Sequence, residues 1–168
     1  MSAFRGGPGR RIRKFFALEE EERRLFLEAW WTLGVMRIAL LTRPFKRIVR
    51  PLLQIPPSEV EGSTPEPHTI LRAEKIARAV RRAAAHTPWE SACLVQALTV
   101  WKMSERRGIP GRFYLGVDRR GTEGKMRAHA WAQCGERILT GASGREAFTP
   151  VSMFQWGDVP ERRGDGAG

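Results

Sequence analysis

Two side chains define the chemistry open to this chain. Cys93 lies in "PWESACLVQAL" and His129 in "KMRAHAWAQC", 36 residues further on. A thiol becomes a strong nucleophile when a neighbouring base takes its proton, and that base works best when a third group orients it. Cysteine followed by histidine, the first at a helix start and the second in a strand, fits such a pair. The same residue types also serve as buried structural groups, and an isolated histidine can ligate a metal. The chain has two cysteines, Cys93 and Cys134, without the paired spacing of a zinc site or a disulfide framework. We therefore expect no metal and no cofactor. Cys134 follows His129 by five positions, so a regular strand turns it to the opposite face, where it serves as a small core residue. His68 and His86 sit in a proline-rich stretch and just before a helix, and are expected to be solvated.

The elements that would position these residues are legible from periodicity. "TILRAEKIARAVRRAAA" places Ile70, Ala73, Ile76, Ala77, Val80 and Ala84 on one helical face over residues 69–85. The next helix ends near Arg106 and Arg107, before Gly108 and Pro110. Its start has two readings. Thr87 and Glu90 have capping-box spacing with Pro88 at the first helical position, which puts Cys93 more than one turn inside. A start near Ser91 instead sets the Cys93 thiol at the positive end of the helix dipole, which favours the thiolate. After Pro110 the period becomes two. "RFYLGVD" carries Phe113, Leu115 and Val117 on one face, and "MRAHAWAQC" carries His129, Trp131 and Gln133 on one face. "RRGTEGK" reads as a turn, Gly135-Glu136 as a tight turn and "RILT" as a third strand. Helices followed by a helix and an antiparallel meander make an α+β fold.

The chain has 168 residues, enough for one domain with an extension, and its six tryptophans and 42% hydrophobic residues can supply a core. The net charge is +11. That excess admits nucleic acid, an anionic membrane surface or an acidic peptide as partner. The basic residues are not interleaved with aromatics and form no periodic basic helix, which argues against nucleic acid. No signal-peptide pattern follows the basic start, so the cytoplasm is the expected compartment. Residues 1–13, rich in Gly, Pro and Arg, read as flexible. "LFLEAWWTLGVMRIALL", Leu25 to Leu41, is strongly apolar but short and interrupted by Glu28 and Arg37. It reads as a buried or surface-lying helix with at most peripheral membrane contact, since a spanning helix needs about 20 mostly apolar residues. The helix runs from residue 18 to about 41, Pro44 ends it or separates a short second helix, and residues 1–55 form an N-terminal helical extension. Residues 56–68 read as a Pro-rich linker, 69–156 as the domain that carries Cys93 and His129, and 157–168 as a loose tail.

"PWESACLVQALTVWKMSERRGIPGRFYLGV" followed by "AHAWAQCGERIL" resembles the transglutaminase-like cysteine peptidases of lasso-peptide biosynthesis. The likeness covers about residues 85–155, and "ERRLFLEAWWTLGVMRIALLTRPFKRI" is similar to the helical lead-in of that family. The resemblance implies a transglutaminase-like or papain-like core, in which a nucleophile helix packs on an antiparallel sheet, and it favours the later start of the Cys93 helix. It implies Cys93 as nucleophile, from the Cys-Leu-x-x-Ala pattern, and His129 as base, from Ala-His-Ala-Trp. It also implies the substrate, a ribosomally made precursor whose leader peptide is removed, and an ATP-dependent, asparagine-synthetase-like lasso cyclase as partner. The extension shows no three-strand winged-helix pattern, so leader recognition is assigned to a separate protein.

The third catalytic member departs from the family. Its aspartate is expected about a dozen residues after the histidine, where this chain has Gly141, and no Asp occurs between His129 and Asp158. Glu146, Thr140, a backbone carbonyl or no group at all could orient the imidazole. The Cys93 backbone N–H is the natural oxyanion donor. Glu90 and Ser91 read as caps, Gln96 as helix surface or core edge, and Trp89 and Trp131 as core. Two rival functions stand beside the peptidase: transglutaminase-type acyl transfer to an amine, and a non-catalytic basic module for nucleic acid or membrane.

Overall fold

A computed structural model describes residues 16–54, 65–118 and 127–157. The expected flexible start, most of the proline-rich linker, the turn after Asp118 and the tail lie outside the described residues. The chain runs through helix α1 (Glu20–Thr42), a short helix α2 (Phe45–Val49) with a 3-10 turn at Arg50–Gln54, helix α3 (Pro67–Ala84) and helix α4 (Cys93–Glu105). Strands β1 (Gly111–Asp118), β2 (Arg127–Cys134) and β3 (Arg137–Thr140) follow, then a 3-10 turn at Arg145–Ala147 and strand β4 (Thr149–Trp156). The architecture is α+β: a helix that begins at the cysteine packs on an antiparallel sheet, with a helical extension before it.

The sheet order is β3-β2-β1-β4. β1 is central and pairs with β2 through Tyr114↔Trp131 and Gly116↔His129, and with β4 through Phe113↔Phe154. The meander β1–β3 follows the alternation in the sequence. β4 was not expected. Its partner lies some forty residues back in the chain, and Pro150 argues against a strand, yet β4 is an edge, where proline costs no ladder bond.

One hydrophobic core joins all these elements. Leu25, Ala29, Leu33 and Met36 of α1, Ala73, Ile76, Ala77 and Val80 of α3, and Val95, Leu98 and Trp101 of α4 pack together. Phe113, Ala130, Ala132, Cys134 and Leu139 close it from the sheet. The small side chains of β2 let α4 approach closely. α2 is tied in through Phe45, whose ring lies 6.1 Å from Phe154 and 6.5 Å from Phe113. The extension is therefore continuous with the core. Glu28, which interrupts its apolar run, makes a bidentate pair with Arg107 just past the end of α4, with one contact of 3.1 Å. That hydrogen bond and the guanidinium charge hold the Glu28 carboxyl below its usual range.

The capping box does not form. α4 begins at Cys93, with Ala92 as N-cap and no side-chain cap. Thr87 Oγ instead lies 3.0 Å from the Ala84 carbonyl, 2.9 Å from the Trp89 carbonyl and 2.9 Å from Ser91 Oγ. The hydroxyl is used up inside the turn between α3 and α4, and Ser91 is spent on the same turn.

Candidate active site

Cys93 is the first residue of a 13-residue helix, and it is half-buried against the core. At this position a backbone N–H has no partner within the helix. Among the described residues the Cys93 N–H meets no other backbone acceptor, so it is free to meet a developing oxyanion. The approach to Cys93 is held rigidly. Gln96 reaches back from the first turn and donates to the Ser91 carbonyl at 2.8 Å. The Trp89 ring lies 5.3 Å from that of Trp30 and closely over Gly34 of α1. The extension thus braces the turn that presents the thiol. Sequence reasoning placed Gln96 at the helix surface or core edge and missed its bond to Ser91, which joins positions five apart and follows no capping rule.

His129 is half-buried on β2. Its ring lies 5.0 Å from Phe148 and 6.1 Å from Trp131, which is itself stacked on Tyr114 at 5.3 Å. Gly116, opposite His129 on β1, leaves room for this cluster: a Cβ there would come within 2.8 Å of the Trp131 ring and 3.0 Å of Phe148 Cβ. His129 Nε2 lies 2.9 Å from the Gly141 carbonyl oxygen. A carbonyl only accepts, so Nε2 carries the proton, and Nδ1 of the neutral ring keeps a lone pair. The ring is therefore fixed in the tautomer of a base that accepts through Nδ1.

The remaining expected residues separate. Glu146 is exposed on the 3-10 turn and, among the described residues, makes no bond to His129. Thr140 is buried, and among the described residues its hydroxyl has no hydrogen-bond partner. Cys134 lies on the core face of β2, where burial pushes its thiol up to about 11. His86 is exposed and bonded to the Arg82 carbonyl at 2.8 Å, and His68 is exposed beside Glu66. Trp131 is buried. Among the described residues no group of three or more metal-ligating side chains occurs.

The structure brings the Cys93 helix and the His129 strand together, since α4 packs on β2. It does not join the two side chains: among the described residues no hydrogen bond links them. α4 lies over Ala130, Ala132 and Cys134, whereas His129 shares a face with Trp131. A thiol at a helix N-terminus and an imidazole of fixed tautomer thus lie on two elements that pack together, without a contact between the two side chains among the described residues.

No curated protein and no solved structure gives a significant match to this chain. The profile of the transglutaminase-like superfamily matches residues 30–153, from within α1 to within β4. By that match, which spans well over half of its length, the chain belongs to the transglutaminase-like superfamily.

Proposed function

We propose that the protein transfers the acyl group of a peptide amide through a Cys93 thioester, with His129 as the proton carrier. The placement of Cys93 as the first residue of α4 is the observation that carries this reading. In the first half-reaction His129 Nδ1 takes the thiol proton as Sγ attacks the carbonyl carbon. The oxygen gains the negative charge and meets the Cys93 N–H. The C–N bond breaks, His129 gives its proton to the leaving amine, and the acyl group stays on sulfur. In the second half-reaction His129 deprotonates the acceptor, which attacks the thioester and regenerates the thiol. The Gly141 carbonyl orients the ring throughout. This reading requires that Cys93 and His129 come within reach of each other in the substrate complex, since an open contact in an unliganded enzyme does not by itself rule out a catalytic pair.

With water as acceptor this is a peptidase. The resemblance to the lasso leader peptidases supplies the substrate: a ribosomally made precursor, cut so that the core peptide leaves with a free amine. An ATP-dependent cyclase in the cytoplasm would use that amine, and a separate recognition protein would deliver the leader. With an amine as acceptor the same site is an acyltransferase, a reading that superfamily membership supports better than it does the peptidase. Mass analysis of precursor incubated with the protein and recognition partner, with and without glycinamide, separates the outcomes. Free leader acid identifies the peptidase. A leader–glycinamide conjugate formed in preference to the acid identifies the transferase. Unchanged precursor in every arm contradicts both.

A further inference from the structure

α1 is half core and half unclaimed. Leu25, Ala29, Leu33 and Met36 face inward. On the outside, Leu27, Trp31, Val35, Ile38 and Leu41 are exposed; Trp31 is 70% exposed, Ile38 62% and Leu41 72%. Their spacing of four, four, three and three residues places them on one helical face. The stripe is about 21 Å long at 1.5 Å per residue. Contiguous exposed apolar surface of this kind marks an interaction site.

Charge tells what covers it. Between Glu28 and Glu59 the sequence has no acidic residue and five basic ones, Arg37, Arg43, Lys46, Arg47 and Arg50, alongside or directly after the stripe. Arg43, Lys46, Arg47 and Arg50 are exposed, and among the described residues none of these five basic side chains makes an ion pair. The acidic start of α1 is different: Glu20 pairs with Arg24, Glu21 with Lys75 and Glu22 with Arg82. Five cations without an ion pair among the described residues thus lie along and just beyond the C-terminal half of the apolar stripe. An apolar helical face with unpaired cations beside it suits the boundary between anionic headgroups and acyl chains.

We propose that the outer face of α1 docks on an anionic lipid bilayer, with Leu27, Trp31, Val35, Ile38 and Leu41 in the interface and the basic residues 37–50 on the headgroups. The helix is long and apolar enough to cross a membrane, with an 18-residue window of mean hydropathy 1.4. Its inward face is occupied by the core and by the Glu28–Arg107 pair, so it lies along the surface instead.

The test is flotation of the full chain with vesicles of phosphatidylcholine, with and without phosphatidylglycerol. Binding is expected only with phosphatidylglycerol and is expected to weaken with salt. Trp31→Asp with Ile38→Asp abolishes it, and both positions are exposed, so thermal unfolding should stay near wild type. Arg43→Gln with Arg47→Gln lowers the partition coefficient about fivefold per side chain. Arg24→Gln with Lys75→Gln, equal in charge change but at the acidic end of the helix, leaves it within about twofold. Equal binding to both vesicle types, equal loss in the two charge variants, or extraction of the bound protein only by detergent overturns the proposal. So does failure to float while a protein partner is captured through Trp31.

Discussion

His129 donates its Nε2–H to the carbonyl oxygen of Gly141 at 2.9 Å. Gly141 follows His129 by twelve residues, where the lasso peptidases that the sequence resembles carry their acid. Here the backbone takes that place. A carbonyl fixes ring orientation and tautomer as a carboxylate does, but brings no full negative charge to an imidazolium.

Gly141 is held to glycine by its backbone. Its φ is +73°, and a Cβ there would lie 2.4 Å from the Ala130 carbonyl oxygen and 2.8 Å from Trp131 Cβ. Gly141→Ala should cost about 1–3 kcal/mol of stability, the range for a strained non-glycine conformation, read from urea unfolding. Gly141→Asp should lower activity as well, because the acid cannot occupy the site without displacing β2. A more active Gly141→Asp would show that the missing triad acid can simply be restored.

Glu146→Gln should change activity by less than about tenfold, or about 1.4 kcal/mol. The carboxylate is exposed on its turn, and the ring it would orient is already held by Gly141. A thousandfold fall in kcat with an unchanged fold would make Glu146 a catalytic residue.

The two thiols should behave oppositely. Cys134 is buried and its thiol is pushed up to about 11, so iodoacetamide near neutral pH should label Cys93 and spare Cys134 until the protein unfolds. The same shift has a stability sign. A thiol raised in the folded state supports folding fully below its unfolded value of about 8.5, and that support is lost as pH rises toward 11. Unfolding free energy measured from pH 8 to 11 should fall more steeply in wild type than in Cys134→Ala. Equal slopes would refute the buried thiol.

Glu28 titrates at the other extreme. Arg107 holds its carboxyl low, so its contribution is present above about 4.3 and is lost as pH falls through the lower folded value. Glu28→Gln should cost about 1 kcal/mol at pH 7, as for a partly exposed pair, and nothing near pH 2. A difference that persists in acid would mean that packing, and not charge, is what Glu28 supplies.

Much of this was legible in the sequence. The apolar face of α3, the alternation of β1 and β2 and the opposite faces of His129 and Cys134 all follow from periodicity. α4 was ambiguous because Thr87 and Glu90 spell a capping box, and only the competing Thr87–Ser91 contact resolves it. β4 was missed because its pairing is non-local and its second residue is proline. A backbone carbonyl was one alternative among several, with no residue named for it, since a main-chain acceptor leaves no signature in side-chain types. The outer stripe of α1 was hidden inside a run that is apolar all round, where inward and outward residues look alike.

The central claim is that Cys93 carries the acyl group, and intact-mass analysis of the protein quenched in acid during turnover tests it most directly. With precursor and recognition partner, wild type and Cys134→Ala should both gain the mass of the leader acyl group, removable by hydroxylamine and mapped to Cys93. Cys93→Ala should gain none, and His129→Ala should form it far more slowly, because nucleophile and base act as one unit. An adduct on Cys134, or turnover by a folded Cys93→Ala, would contradict the account.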